Sequence, residues 1–184
     1  MHITLNCLLI LIPGFLLSQN VIPMDKTESR LELSMSEVNA DSRDGVYRYY
    51  EKGSSQPYTG VLYALYPNGN TLSWQEYENG VGQGKWINYY ENGNLKEVGR
   101  YEQNRVEGPI RKYYENGQLK AVGQYRDWRI MVGQWKYYDV NGAFDKFVDY
   151  GEKGSTEEVK AYYDRGEISF GRYKDILSKN GFKL

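Results

Sequence analysis

The sequence is short of the residues on which most enzymatic and metal chemistry depends. Its 184 residues include one His and one Cys, which are His2 and Cys7. Hydrolytic triads need a base that titrates near neutrality, and many zinc sites are built from His and Cys. The glycine-rich loops that bind phosphate ahead of a helix are missing as well. We therefore predict a non-enzymatic chain with no catalytic residues, no metal site and no cofactor.

The sequence also lacks an excess of charge of either sign. It holds 23 basic and 24 acidic residues, for a net charge of −1. Nucleic-acid binders carry a basic excess that displaces counterions from phosphate, and binders of anionic membranes carry polybasic clusters. Charge therefore favours neither a nucleic-acid partner nor a membrane-surface partner.

The one long apolar run lies at the N-terminus, from Leu5 to Leu17. It is shorter than the roughly 20 residues that span a bilayer but suits the apolar part of a secretory leader. We predict a signal peptide over residues 1–18, cleaved near Ser18, and a secreted, periplasmic or cell-envelope protein. Cleavage would leave no integral membrane segment and would remove His2 and Cys7. The region before the run has no Lys or Arg, so an uncleaved apolar anchor is the alternative.

Aromatic residues replace the sparse aliphatic ones. Tyr alone contributes 19 residues. A core built from Tyr and Trp rings keeps polar atoms that must be paired or hydrated. This composition favours thin, partly open sheets.

A repeat of about 24 residues organises the chain. Its glycines stand 24, 24 and 25 residues apart, in Asn-Gly pairs between aromatic and branched runs. Such a pair predicts a β-hairpin with a type I′ turn, in which both central residues have positive φ. The predicted structural repeat turns are Asn68-Gly69, Asn92-Gly93, Asn116-Gly117 and Asn141-Gly142.

These repeats predict an all-β fold: an elongated array of about five β-hairpins that forms a continuous antiparallel sheet. The repeat domain is expected over residues 44–173, with degraded copies starting at Val46 and Val159. Residues 19–43 are predicted to form a polar linker or N-terminal cap, with one strand near Leu33, and 174–184 a C-terminal tail with a short helical stretch at its start. Between hairpins we expect linkers, including the segments from Gly80 to Gly84 and from Glu102 to Glu107.

The repeat units resemble the MORN-repeat variant family, including its YwqK-type members. GKWINYYENGNL from Gly84 and GPIRKYYENGQL from Gly108 carry the likeness, which covers roughly residues 44–173. The resemblance implies a β-hairpin array. Bacterial members are often exported and often labelled antitoxins of toxin–antitoxin systems, so it also suggests an antitoxin-like neutralising protein. A repeat fold by itself supports many functions.

One linker departs from the pattern and supplies the candidate binding residues. The segment from Arg126 to Val132 is one residue longer than its counterpart and far more apolar. Trp and Arg are common in interface hot spots. We predict a protein-partner contact at Trp128, Arg129, Ile130 and Met131. The alternative is that Trp128 folds back over the sheet and covers Tyr rings.

Two other residue sets suggest different functions. Trp86 and Trp135 recur at one repeat position and could stack on sugars of a cell-wall glycan, or pack in the core. Glu91 and Glu115 could form a catalytic carboxylate pair, although recurrence just before each turn favours a role in the turn. The function that we predict is an exported, non-enzymatic scaffold for protein interaction at the cell envelope. An antitoxin-like role and a glycan-binding module are the alternatives.

Overall fold

The structure is a computed structural model that describes residues 32–42 and 46–183. The predicted leader, its cleavage near Ser18 and the part of the predicted linker before residue 32 lie outside the described residues. Within the described ranges, the chain has no helix with both the length and the apolar character needed to span a bilayer.

Nine strands form one sheet in the order β1-β4-β5-β6-β7-β8-β9-β10-β11, and β2 and β3 form a second, two-stranded sheet. The strands are β1 (Glu32–Ser34), β2 (Val38–Asp41), β3 (Arg48–Glu51), β4 (Gly60–Leu65), β5 (Thr71–Glu78), β6 (Val81–Tyr89), β7 (Leu95–Glu102), β8 (Arg105–Tyr113), β9 (Leu119–Arg126), β10 (Ile130–Tyr138) and β11 (Phe144–Asp149). Neighbours from β4 to β11 pair antiparallel, and β1 pairs parallel with β4. The predicted all-β hairpin array is confirmed.

The predicted Asn-Gly pairs lie at the hairpin turns, but their geometry differs from type I′. At the first turn, the Gly69 N–H donates to the Tyr66 carbonyl (2.9 Å) and the Tyr66 N–H donates to the Asn70 carbonyl (2.8 Å). Gly69 has a φ of 87°, whereas Asn68 does not have a positive φ. The Asn68 Oδ1 accepts from the Asn70 N–H (2.9 Å), and only the glycine needs the left-handed conformation. The type I′ prediction is therefore wrong at these turns.

Type I′ geometry lies at the opposite ends of the strands. Asn79 and Gly80, between β5 and β6, have φ angles of 48° and 77°, and Gln103 and Asn104, between β7 and β8, have 50° and 62°. Positive φ at both central residues matches the twist of the flanking strands. The segment from Glu102 to Glu107 was predicted as a polar linker, but only Gln103 and Asn104 form a turn, and its other residues belong to β7 and β8.

The glycine-rich segment after Asn79 is also strand and not linker. β6 begins at Val81, and Gly82 is buried within it. A Cβ added at Gly82 would lie 3.3 Å from the Tyr101 ring, and one at Gly84 would overlap the Glu76 carboxylate. These glycines therefore make room for neighbouring side chains.

The main core lies on one side of the sheet, called here the aromatic face, which carries Trp86, Tyr125 and Trp135. Both indole rings are 1% exposed. Trp86 covers Gly99, where an added Cβ would come within 2.7 Å of the ring, and Trp135 covers Gly123, where an added Cβ would overlap it. Close packing of this kind stabilises a core in which aromatic rings pack with aliphatic side chains such as Ile110.

The N-terminal part of the described chain caps the array with more structure than predicted. The expected strand near Leu33 is β1, in which Leu33 pairs with Leu62. The following residues form a short 3-10 helix (Met35–Glu37) and then β2, where a linker was predicted. Val38 is buried against Tyr58 and Leu62, and this apolar contact explains why the segment is ordered.

The C-terminal part is helical, with α1 (Glu157–Asp164) and α2 (Phe170–Lys179). The predicted degraded hairpin from Val159 is wrong, because Val159 lies in α1 and packs with Ile176 of α2 against Ile130. A helix places Val159 and Tyr162 on the same face, three residues apart. The described chain thus has four hairpins with long turns, fewer than the five expected. The short helix predicted at the start of the tail is part of α2.

Candidate functional site

The turn between β9 and β10 breaks the pattern of the array. It has three residues, Asp127, Trp128 and Arg129, with φ angles of 33°, 61° and 70°. The Trp128 N–H donates to the Val106 carbonyl (3.1 Å), and the Asp127 N–H donates to a Glu107 carboxylate oxygen (2.8 Å). These bonds fix a backbone conformation that is strained for residues other than glycine.

Arg129 lies over the aromatic face and binds Glu97 of β7. Its two terminal nitrogens donate to the two carboxylate oxygens at 2.9 and 2.6 Å. The residues are 5% and 6% exposed. The guanidinium carbon lies 4.6 Å from the Tyr162 ring centroid, 5.3 Å from that of Trp86 and 5.6 Å from that of Tyr125. A planar, bidentate cation among aromatic rings is well suited to burial.

Mutual pairing keeps both buried groups charged. Burial acts to raise the pKa of Glu97, but the hydrogen bonds and charge of Arg129 hold that pKa below its ordinary value of 4.5. Burial acts to lower the pKa of Arg129, and Glu97 outweighs it and raises that pKa well above its ordinary value. At neutral pH the pair is therefore ionic.

A second ion pair joins the sheet to α1 beside the first. The Lys112 ammonium of β8 donates to the Glu158 carboxylate, and their side chains are 18% and 25% exposed. Burial lowers the pKa of Lys112, although Glu158 acts to raise it. The neighbouring Lys112 also helps to keep Glu97 ionised.

The residues of both pairs line a cavity of about 330 Å³ between α1 and the sheet. Its lining is charged and aromatic. The cationic residues are Lys96, Lys112, Lys120, Arg129 and Arg165, the acidic ones are Glu97, Glu158 and Glu167, and the aromatic ones are Tyr90, Tyr113 and Tyr162.

The predicted partner-binding residues are mostly buried within the chain. Ile130 and Met131 are 0% and 3% exposed, and Arg129 lies in the ion pair described above. Trp128 is half-buried and meets the Tyr162 ring edge to face, with the centroids 5.4 Å apart. Trp128 thus covers a Tyr ring, as the alternative expected, but this ring belongs to α1 and not to the sheet. Partner contact stays a prediction. The extra residue and the apolar character of this segment were the signal in the sequence. The contact between Arg129 and Glu97, which are 32 residues apart, could not be predicted from the sequence.

The Asn residues of the long turns connect neighbouring hairpins. The Asn92 Nδ2 donates to the Glu115 carbonyl (3.1 Å) and the Asn116 Nδ2 donates to the Val140 carbonyl (2.8 Å). The tyrosine before each of the first three long turns makes a parallel contact, whereas Asp139 takes this position at the fourth. The Tyr90 hydroxyl, for example, donates to the Tyr113 carbonyl at 2.9 Å. These tyrosine contacts were not predicted from the repeats, where their signal was the second Tyr of the recurring Tyr-Tyr pair, as at Tyr90.

The other sequence candidates do not form a reactive group. Glu91 and Glu115 are exposed in separate turns, where their carbonyls accept from asparagines of the preceding turn. Trp86 and Trp135 lie in the core. In residues 32–42 and 46–183, no three or more His, Cys, Asp or Glu residues cluster so as to hold a metal ion.

The last strand and the turn before it carry the other notable surface, called here the β11 patch: Val140 of the turn, and Phe144 and Phe147 of β11. They are 51%, 54% and 59% exposed, and the two phenyl rings lie 4.9 Å apart. Tyr138 borders the patch, 6.2 Å from the Phe144 ring. Among the described strands, β11 pairs with β10 alone, so it is an edge of the sheet.

No protein-family model, curated protein or solved structure matches this chain. The resemblance to the MORN-repeat variant family therefore stays a prediction from the repeat units.

Proposed function

We propose that the chain is a non-enzymatic scaffold for protein interaction, exported to the cell envelope or beyond, and that it binds its partner at the C-terminal end of the sheet. The observation that carries the proposal is the β11 patch. Large apolar side chains that cluster on an exposed surface are a feature of interaction sites. An edge strand also offers backbone groups to which a partner can pair.

The two ends of the sheet differ in a way that supports this position. Within the described part of the chain, the N-terminal edge strand, β1, has three residues, whereas β11 has six, all exposed except Val148. Short edge strands protect a sheet against further pairing. β11 also carries charged side chains at Asp145, Lys146 and Asp149. These charges restrict pairing to partners with complementary charges, of opposite sign at each position.

Pairing of the charged groups at the aromatic face supports a scaffold role over an enzymatic one. Arg129 is bound to Glu97, and Lys112 to Glu158. Groups held in internal ion pairs stabilise a surface and are not poised for proton transfer.

The test is capture from cell-envelope extract by the immobilised chain. We expect the double variant F144S/F147S to capture no partner protein, because serine removes the apolar contact area at the surface and leaves the core unchanged. Phe170→Ser is the matched control, since Phe170 is 52% exposed on α2. Capture that is absent from the wild type, or equal in all three chains, would contradict the proposal.

A further inference from the structure

We propose that the cavity between α1 and the aromatic face binds a small molecule with two or more clustered negative charges, carried by phosphate or carboxylate groups. The cavity is a site apart from the β11 patch. The inference therefore does not depend on the protein-interaction proposal.

The charge of the lining favours an anion. Five cationic and three acidic side chains surround the cavity, a difference of two positive charges. Each of the three carboxylates has a cation of its own: Glu97 has Arg129, Glu158 has Lys112 and Glu167 has Arg165. A cationic ligand would therefore meet carboxylates that are already neutralised.

Lys96 and Lys120 supply the uncompensated charge. Among the described residues neither makes an ion pair, and each ammonium lies over a tyrosine ring: Lys96 over Tyr90 at 5.6 Å and Lys120 over Tyr114 at 5.3 Å. The lysines are 24 residues apart, at the same position of neighbouring repeats. The rings orient the ammonium groups. An exposed cation–π contact contributes only about 0.5–1 kcal/mol, so moving an ammonium group from its ring to an anion costs little free energy.

The size and rigidity of the site restrict the ligand. A cavity of about 330 Å³ is near the lower limit of small-molecule sites, which measure roughly 300–1,000 Å³. It accommodates a small organic anion and excludes a folded partner. Among the lining residues, Arg129 and Glu97 hold each other in place through their buried ion pair, which reduces the cost of ordering the site on binding.

Isothermal titration calorimetry of the whole chain tests the proposal with three probes: inorganic phosphate, citrate and choline. We expect phosphate or citrate to bind, and the comparison of the two separates a phosphate-bearing ligand from a carboxylate-bearing one. Binding should weaken as the salt concentration rises, because the attraction is between charges. Choline should give no heat of binding.

Substitution of both lysines locates the site. We expect K96Q/K120Q to weaken anion binding tenfold or more, while Lys146→Gln leaves it unchanged. Lys146 is the matched control because its ammonium lies 5.7 Å from the Tyr137 ring centroid but does not line the cavity. Both lysines are exposed, so the double variant should keep the wild-type circular dichroism spectrum. Failure of both anions to bind, equal binding by K96Q/K120Q, or binding of choline in their place would overturn the proposal.

Discussion

The carboxylate of Glu97 can be buried on the aromatic face because Arg129, in the turn between β9 and β10, forms an ion pair with it. Removing one member of such a pair leaves an unpaired charge in the interior, which typically costs about 3–5 kcal/mol. We expect Glu97→Gln to lower the free energy of unfolding by about 3 kcal/mol at pH 7, measured by urea denaturation. Glu91→Gln, at an exposed site, is the control and should change it by less than about 0.5 kcal/mol.

The same pair makes stability depend on pH. The folded-state pKa of Glu97 lies below its ordinary value of 4.5, so the stabilisation is complete above that pH and is lost as the pH falls through the folded-state pKa. The difference in unfolding free energy between wild type and Glu97→Gln should therefore narrow below about pH 4.5. A constant difference between pH 7 and pH 3 would contradict the ionic description of the pair.

Gly123 should be the least replaceable glycine on the aromatic face. A Cβ there would overlap the Trp135 ring, so we expect Gly123→Ala to cost about 1–3 kcal/mol, the usual cost of overpacking. Thermal denaturation measures it. Gly171→Ala is the control, because the nearest atom to its added Cβ, apart from its chain neighbours and the backbone of its own helix, is 3.8 Å away and alanine favours the helix. The cost should shrink in the background of Trp135→Leu, where the ring is gone.

At the scale of elements, the long turns differ in how firmly they are tied together. Asn92 bonds both within its own turn and to the next, whereas at Asn141 the Asp139 carboxylate accepts the turn's backbone N–H groups instead. We expect Asn92→Ala to cost about 1 kcal/mol and Asn141→Ala less than about 0.5 kcal/mol. Chemical denaturation of the two variants compares them. Equal losses would show that the contact between turns contributes nothing.

The repeat spacing was enough to place the four hairpins but not to assign every turn. Asn79-Gly80 is an Asn-Gly pair outside the 24-residue series, and it has the type I′ geometry that the series pairs lack. In the first three series pairs the Asn side-chain oxygen accepts a hydrogen bond from the backbone N–H two residues on, a detail of turn chemistry that a dipeptide does not specify.

The C-terminal helices were misread for a related reason. The segment from Val159 to Gly166 imitates a repeat unit in its Tyr-Tyr pair and its glycine. Its conformation is decided by burial of Val159 against Ile130, a contact between distant parts of the chain. Local propensity yields to such tertiary packing, and for the same reason the cavity could not be predicted.

For the molecule as a whole, stability should decline from the middle of the sheet to its C-terminal edge. β8 pairs on both sides and β11 on one. We expect amide hydrogens of β8 to exchange most slowly and those of β11 much faster, measured by hydrogen–deuterium exchange with mass spectrometry. Protection of β11 equal to that of β8 in the purified protein would mean that a second copy covers the edge.

The three-residue turn between β9 and β10 illustrates how an otherwise uniform array acquires a unique position. One added residue at one end of a hairpin leaves the tyrosine and asparagine contacts at the other end in register, as Tyr114 and Asn116 still reach the following turn. An inserted residue is thus tolerated in a short turn between strands, and such an insertion can place a new side chain over the aromatic face. The repeats give the array its regular structure, and one irregular turn gives it a position unlike the others.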